Sequence, residues 1–205
     1  MKPDISTVAR RFSWHEIERL SLFFDQKGID YALLGGWAVY SYNDYFESID
    51  ADIVCNPNRI SQAREVIEQK CGWIQTSQQL EDGSWIRYAK LIPSYQDQGV
   101  YLDLFTTEYE NLFHEDRSKA LRYAVCFERG MSESRNIGGL YFRVPIKELL
   151  VLYKLKAYRD RSFDLLKAEN TERKMHFESK RIKDISDILA LIDPDYGAID
   201  TRILR

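Results

Sequence analysis

Three aspartates, Asp50, Asp52 and Asp103, have the residue type, spacing and surroundings of a cation-binding site. Asp50 and Asp52 lie two apart in Ser48-Ile49-Asp50-Ala51-Asp52-Ile53-Val54. In a strand, residues i and i+2 share a face, so both carboxylates are expected on one side and Ala51 on the other. Like charges that close raise each other's pKa unless a cation lies between them. A hard divalent ion such as Mg²⁺ takes oxygen ligands and commonly shares them with substrate phosphates. Asp103 stands alone in the apolar run Val100-Tyr101-Leu102-Asp103-Leu104-Phe105. Unpaired charges are rare inside such strands. A third carboxylate from a neighbouring strand would complete a two-ion site for in-line phosphoryl or nucleotidyl transfer. Solvated loop acids explain an isolated Asp-x-Asp. They do not explain acids set within two apolar strands downstream of a glycine pair.

That pair is Gly35-Gly36, which follows the short apolar run Tyr31-Ala32-Leu33-Leu34 and precedes Trp37-Ala38-Val39-Tyr40-Ser41-Tyr42. Glycines between a strand and a helix let backbone approach a ligand closely. They also aim free N–H groups and the positive end of the helix at an anion. Without the aspartates, the same pattern would be an ordinary tight turn.

Gly35-Gly36, thirteen intervening residues, Asp50-Ala51-Asp52, and Asp103 between Leu102 and Leu104 together resemble the DNA polymerase beta-type nucleotidyltransferase superfamily. The resemblance spans roughly residues 30–105, with a weaker echo to about 192. It implies that Asp50 and Asp52 bridge two Mg²⁺ ions. It implies that Asp103 completes the site and serves as base for an acceptor hydroxyl, and that Gly35 and Gly36 contact a triphosphate. Gly-Gly in place of the Gly-Ser of many members is similar to the branch of the AbiEii-type toxins of toxin–antitoxin systems. That branch has Arg-x-Thr-x-Asp where this chain has Phe46, Ser48 and Asp50. Ser48 substitutes for the threonine as a nucleotide contact, and Phe46 removes the cation.

The second echo is C-terminal. Lys154-Leu155-Lys156-Ala157, followed by Arg159 and Arg161, and Lys183-Asp184-Ile185-Ser186-Asp187 resemble that branch's Lys-Leu-x-Ala and Lys-Asp-x-x-Asp signatures. By resemblance, Lys154 neutralises phosphate charge, and Lys183 and Asp184 support the site. Taken without the resemblance, Lys154 is equally a solvated helix residue. Lys156 and Arg159 then merely give solubility, and Asp184 and Asp187 are surface acids.

The implied activity is cytosolic and Mg²⁺-dependent: a nucleoside monophosphate moves from an NTP such as ATP to an acceptor hydroxyl. The acceptor is a tRNA end, a partner protein's hydroxyl or a small molecule, and the toxin branch would add an antitoxin partner. The rival enzyme is an aminoglycoside-type antibiotic nucleotidyltransferase. The rival class is a non-catalytic nucleotide-binding or interaction module of the same fold.

The elements that must position these residues read as an α+β protein, a small mixed β-sheet core with flanking helices and a helical C-terminal portion. Ser13-Trp14-His15-Glu16 is a capping box opening a helix that stops near Gly28. Strand 31–34, helix 37–43 and strand 49–54 follow, then a helix from Pro57-Asn58 to near Gly72. Strands 73–79 and 84–92 join through Asp82-Gly83, a hairpin signal. Strand 99–105, a helix around 115–127 and a last strand between Arg135 and Val144 precede two helices, 146–160 and 179–192. The charged stretch 166–181 is a helix extension or a loop. The expected division is a catalytic domain, 1–142, and a helical region, 143–205.

Charge is uneven in the same sense. Residues 1–142 carry 15 Lys and Arg against 21 Asp and Glu, and residues 143–205 carry 14 against 11. The resulting −6 and +3 sum to the net −3, too weak for a dedicated nucleic-acid binder. An apolar fraction of 44% supports a real core. No apolar run reaches membrane-spanning length, and the N-terminal residues lack a signal-peptide stretch. Cys55, Cys71 and Cys126 have neither zinc-like spacing nor an even number, which points to a reducing cytosol. His15, His114 and His176 are scattered and form no ligand set.

Overall fold

A computed structural model describes residues 5–45, 48–80, 82–93 and 95–203. Phe46 lies outside them. Seven strands and five α-helices organise the described residues: α1 (Ile5–Lys27), β1 (Tyr31–Leu34), α2 (Gly35–Tyr40), β2 (Ala51–Cys55), α3 (Ile60–Glu65), β3 (Ile74–Gln79), β4 (Trp85–Ile92), β5 (Tyr95–Thr106), β6 (Ser132–Ile137), β7 (Leu140–Pro145), α4 (Lys147–Lys167) and α5 (Thr171–Ile192). The main sheet has the order β1-β2-β5-β4-β3, with β2 and β5 parallel and the other neighbours antiparallel. The α+β class and the small mixed sheet expected from sequence are present.

Side-chain alternation divides the sheet into two faces. Leu33, Ala51, Ile53, Ile86, Tyr88, Leu102 and Leu104 point to one side, where they pack with Phe24, Trp37 and Val66 in the larger core. Ala32, Leu34, Val54 and Phe105 point to the other, under Leu149 of α4 and Cys126. Asp52 and Asp103 belong to this second face. Each is flanked at i±1 by residues of the larger core.

Several local expectations are corrected. Helix α1 begins by Ile5, so Ser13 is internal and is no cap. Its hydroxyl instead accepts a hydrogen bond from Trp37 Nε1 at 3.1 Å. Glu16, the other half of the supposed capping box, is buried and accepts from Lys90 Nζ at 2.6 Å. The helix placed at 115–127 is absent. A bridge between Leu112 and Ala120 and a 3-10 turn over Tyr123–Phe127 take its place. The single strand between 135 and 144 is a hairpin, β6–β7, because Gly138 and Gly139 both adopt positive φ and turn the chain. The stretch 166–181 is mostly helical: α4 continues to Lys167, and Asn170 caps α5 by accepting from the Arg173 amide at 2.8 Å. The expected boundary at 142 falls inside β7. Among the described residues, no helix is long and apolar enough to cross a membrane.

The Glu16–Lys90 pair joins α1 to β4 beneath the sheet, and Arg19 lies 3.2 Å from the same carboxylate. Removing one partner of a buried ion pair strands the other, which costs about 3–5 kcal/mol. Glu16→Ala is expected to lower unfolding free energy by roughly that amount in urea titration. A combined Glu16→Leu, Lys90→Met exchange should cost less than Glu16→Ala alone.

Candidate active site

The site is a row of side chains crossing four strands. The registers place Leu34 opposite Asp52, Asp52 opposite Asp103, and Asp103 opposite Arg87, on β1, β2, β5 and β4 respectively. Residues directly across neighbouring strands share a face, so the two carboxylates stand side by side. Asp50 lies in the bend just before β2. The buried Ser48 hydroxyl donates to its carbonyl at 3.1 Å.

The glycine pair is explained first by these acids. Gly35 has φ +64, and a β-carbon there would land on Asp52 Oδ2. At Gly36 a β-carbon would come within 2.5 Å of Ser48 Oγ and 3.0 Å of Lys183 Nζ. The turn is bare so that Asp52 and Ser48 can sit against it.

Asp50, Asp52 and Asp103 line one cavity of about 390 Å³ together with Gly36, Ser48, Lys154, Lys183 and Asp184. Gly35 lines an adjoining space of about 120 Å³ that shares Asp52, Lys154 and Asp184. Thus all nine residues singled out from sequence surround one region. Three larger concavities among the described residues, about 670, 520 and 480 Å³, contain none of them.

The helical hairpin α4–α5 supplies cations. Lys154 is largely buried, with Nζ 2.5 Å from Asp187 Oδ2 and 4.0 Å from Asp184 Oδ1. Lys183 Nζ lies 3.5 Å from Asp187 Oδ2, and Arg161 is paired with Asp184. Asp184 and Asp187 are each 1% exposed, so they are not surface acids. They are the buried anchors of three cations. Lys156 is not a solubilising residue either: it is buried and paired with Asp160 at 2.5 Å. Arg159 is exposed, beside Glu115.

Sequence reasoning missed Arg10, Arg87 and Lys180, and gave Arg161 no role. All four line the cavity. Six cationic and four acidic side chains then face it, a balance of +2 suited to a polyphosphate. Lys180 Nζ is 3.9 Å from Asp50 Oδ2. Arg87 clasps Asp103 with two hydrogen bonds of 2.7 Å, and Trp85 Nε1 adds a third at 3.0 Å. Only a sheet register could reveal that pairing, since 16 residues separate Arg87 from Asp103.

Burial and the facing Asp103 charge push the Asp52 carboxyl up to about 6, against relief from Lys154. Burial and the adjacent Lys154 push Lys183 down. The hydrogen bond to Asp103 pushes Arg87 up. Among the described residues, no three His, Cys, Asp or Glu side chains lie close enough together to cage a metal ion by themselves. The donor set nevertheless suits a hard divalent cation. Mg²⁺ is typically held by one or two carboxylates plus substrate phosphates, and Asp50 and Asp52 present that pair beside a cationic cavity.

No protein-family model and no curated protein matches the chain. Solved structures do. The solution structure of the antibiotic-resistance factor ANT(2″)-Ia aligns over 95% of this chain and 88% of its own, with 14% identity and a TM-score of 0.54. The lincosamide antibiotic adenylyltransferase LnuA, lincomycin-bound, covers 87% and 96% at 18% identity and a TM-score of 0.52. An antigenic nucleotidyltransferase-like protein from Paracoccidioides brasiliensis covers 91% and 76% at 18% identity and a TM-score of 0.52. At these identities the likeness is one of fold, shared with proteins that include an adenylyltransferase and a nucleotidyltransferase-like protein.

The raised Asp52 carboxyl makes stability pH-dependent. From its ordinary value of 3.8 up to about 6, the folded chain holds a proton that the unfolded chain has lost. Stability contributed by protonated Asp52 is therefore present below about pH 4 and lost as pH rises through about 6, a fall of roughly 1–3 kcal/mol. Asp52→Asn is expected to flatten this slope in denaturation curves measured without metal. Millimolar Mg²⁺ should raise Tm more at pH 7.5 than at pH 5, and less in Asp52→Asn.

Proposed function

We propose that the protein is a metal-dependent nucleotidyltransferase that moves a nucleoside monophosphate from an NTP, ATP among them, to an acceptor hydroxyl. The observation that carries this reading is the cross-strand pair Asp52 and Asp103, joined by Asp50 in a cavity rimmed by Lys154, Lys183, Lys180, Arg161 and Arg10. Carboxylates alone would suit many cations. Carboxylates facing a net-positive rim suit an anion that brings its own counter-ion, as a triphosphate does.

In this proposal, Lys154, Lys183 and Lys180 bind and orient the triphosphate, each as a point charge. Asp50 and Asp52 would hold the Mg²⁺ ion that accompanies the triphosphate. When bound, Mg²⁺ supplies charge neutralisation on the phosphates and acidifies the acceptor hydroxyl. Asp103 takes the proton of that hydroxyl. The acceptor oxygen forms a bond to the α-phosphorus as the bond from that phosphorus to the bridging oxygen breaks, and pyrophosphate leaves. A second ion at Asp103, as the superfamily resemblance implies, would have to share a carboxylate that Arg87 already clasps.

For the acceptor, a small molecule with a free hydroxyl is supported by the fold neighbours, one an antibiotic-resistance factor and one an antibiotic adenylyltransferase. The toxin-type reading has its own support, because Lys154, Lys183 and Asp184 of the two C-terminal motifs all reach the cavity. It would make a tRNA end or protein hydroxyl the acceptor and add an antitoxin partner. Three buried free thiols fit a reducing cytosol.

Incubation with α-labelled NTPs and Mg²⁺, offering aminoglycosides, lincosamides, total tRNA and cell lysate in turn, tests the reading. Label is expected on one acceptor class, and it should vanish with EDTA. Asp50→Ala and Asp52→Ala should each reduce transfer by at least ~10³-fold while remaining folded. Lys154→Ala should lower kcat/KM for the NTP, whereas Lys174→Ala, on an exposed turn of α5, should change little. Full transfer by Asp50→Ala would exclude the mechanism.

A further inference from the structure

The Asp103 carboxylate is the most heavily constrained group in the cavity, and its constraints come from residues to which the transfer reading assigns no role. Its Oδ1 accepts from both Arg87 Nε at 2.7 Å and Trp85 Nε1 at 3.0 Å. Its Oδ2 accepts from Arg87 Nη2 at 2.7 Å. Trp85 and Arg87 are i and i+2 on β4, and Tyr101 and Asp103 are i and i+2 on β5, so all four share one face. The guanidinium carbon lies 5.5 Å from the Trp85 ring and 5.7 Å from the Tyr101 ring, within cation–π range of each.

A carboxylate has about four acceptor positions. Three are filled here, and the free one is on Oδ2. Bidentate clasping also prevents the carboxylate from rotating about its bond to Cβ.

We propose that Arg87, assisted by Trp85, is a positioning residue that fixes Asp103 so that a single Oδ2 lone pair faces the reacting hydroxyl. The inference rests on the nucleotidyltransferase reading. Asp103 then acts through one oxygen only: it accepts one proton or gives one bond, and it cannot chelate a cation through both oxygens. The Arg87 charge also offsets the repulsion between Asp103 and Asp52. A lysine cannot reproduce the planar two-point grip. Triphosphate binding is left to Lys154, Lys180, Lys183, Arg161 and Arg10, so Arg87 stays on the carboxylate throughout.

The test compares steady-state transfer by Arg87→Ala, Arg87→Lys and Trp85→Phe. A loosened Asp103 should lower kcat about 10²-fold in Arg87→Ala, the scale of a 1 Å misplacement, with KM for the NTP within about twofold. Arg87→Lys should recover little of that loss, and Trp85→Phe should show a smaller fall in kcat. Added guanidinium ion at low millimolar levels should restore part of the Arg87→Ala turnover and none of that lost in Asp103→Asn. In the nucleotide-free, metal-free ¹⁵N-labelled protein, the Trp85 indole N–H resonance should move in both Arg87→Ala and Asp103→Asn. A raised KM with unchanged kcat would put Arg87 on the phosphates and overturn the proposal. So would an indole resonance indifferent to Asp103→Asn. If Arg87→Ala fails to fold, unchanged kcat in both Arg87→Lys and Trp85→Phe overturns it. Wild-type turnover by Arg87→Ala beside an inactive Asp50→Ala sinks the clasp alone. Full turnover by Asp50→Ala sinks the nucleotidyltransferase reading itself.

Discussion

The parallel pairing of β2 with β5 sets Asp52 directly opposite Asp103, and the arrangement around them follows from that placement. Like charges directly opposite on a sheet are destabilising. Here they also lie on a face where Ala32, Leu34, Val54 and Phe105 are apolar and packed with Leu149 of α4. The fold holds them by surrounding the pair with cations on separate elements: Arg87 from β4, Lys154 from α4 and Lys183 from α5. The offset is incomplete at Asp52, whose carboxyl rises to about 6. Asp103 carries the Arg87 clasp, while Asp52 forms no comparable ion pair among the described residues. The residual demand for positive charge is therefore concentrated at Asp52, beside Asp50. That is where an ion delivered with a phosphate would stabilise most.

The same constraint explains the glycine turn. A strand-to-helix turn with two glycines invites a phosphate explanation. The geometry gives a prior reason: the β-carbon positions of Gly35 and Gly36 are already taken by Asp52 and by Ser48 with Lys183. Phosphate contact and carboxylate seating are compatible. Only the second follows from the protein's own atoms.

How much of this was legible in the sequence depends on the range of the interaction. The i, i+2 aspartates, the isolated Asp103 and the Gly-Gly turn are local patterns, and all reach one cavity. The strand run 31–34 and the hairpin through Gly83 were visible for the same reason. The failures are positions where a distant partner decides. Ser13 and Glu16 match a capping box, but Trp37 and Lys90 engage their side chains from other elements and the helix runs through them. Asp184, Asp187 and Lys156 have the composition of a solvated helix face, yet each is buried beside an opposite charge. Arg87 carries no signal at all, because its meaning lies in the β4–β5 register.

Those buried acids set the charge around the cavity. An ionised carboxylate at 1% exposure requires compensating charge, and Asp184 and Asp187 obtain it from Arg161, Lys154 and Lys183. Each cation is thereby tied to a buried acid of α5 and also lines the cavity. Long flexible side chains lose rotamer freedom when a ligand orders them, roughly 0.5–1.5 kcal/mol apiece. Here much of that ordering is already imposed by the buried acids. The acids serve as fixed mounts that keep positive charge aimed across the cavity at Asp50, Asp52 and Asp103, so the C-terminal hairpin and the sheet define one electrostatic unit. Neither the carboxylates nor the cations can be displaced without exposing the other set to uncompensated charge.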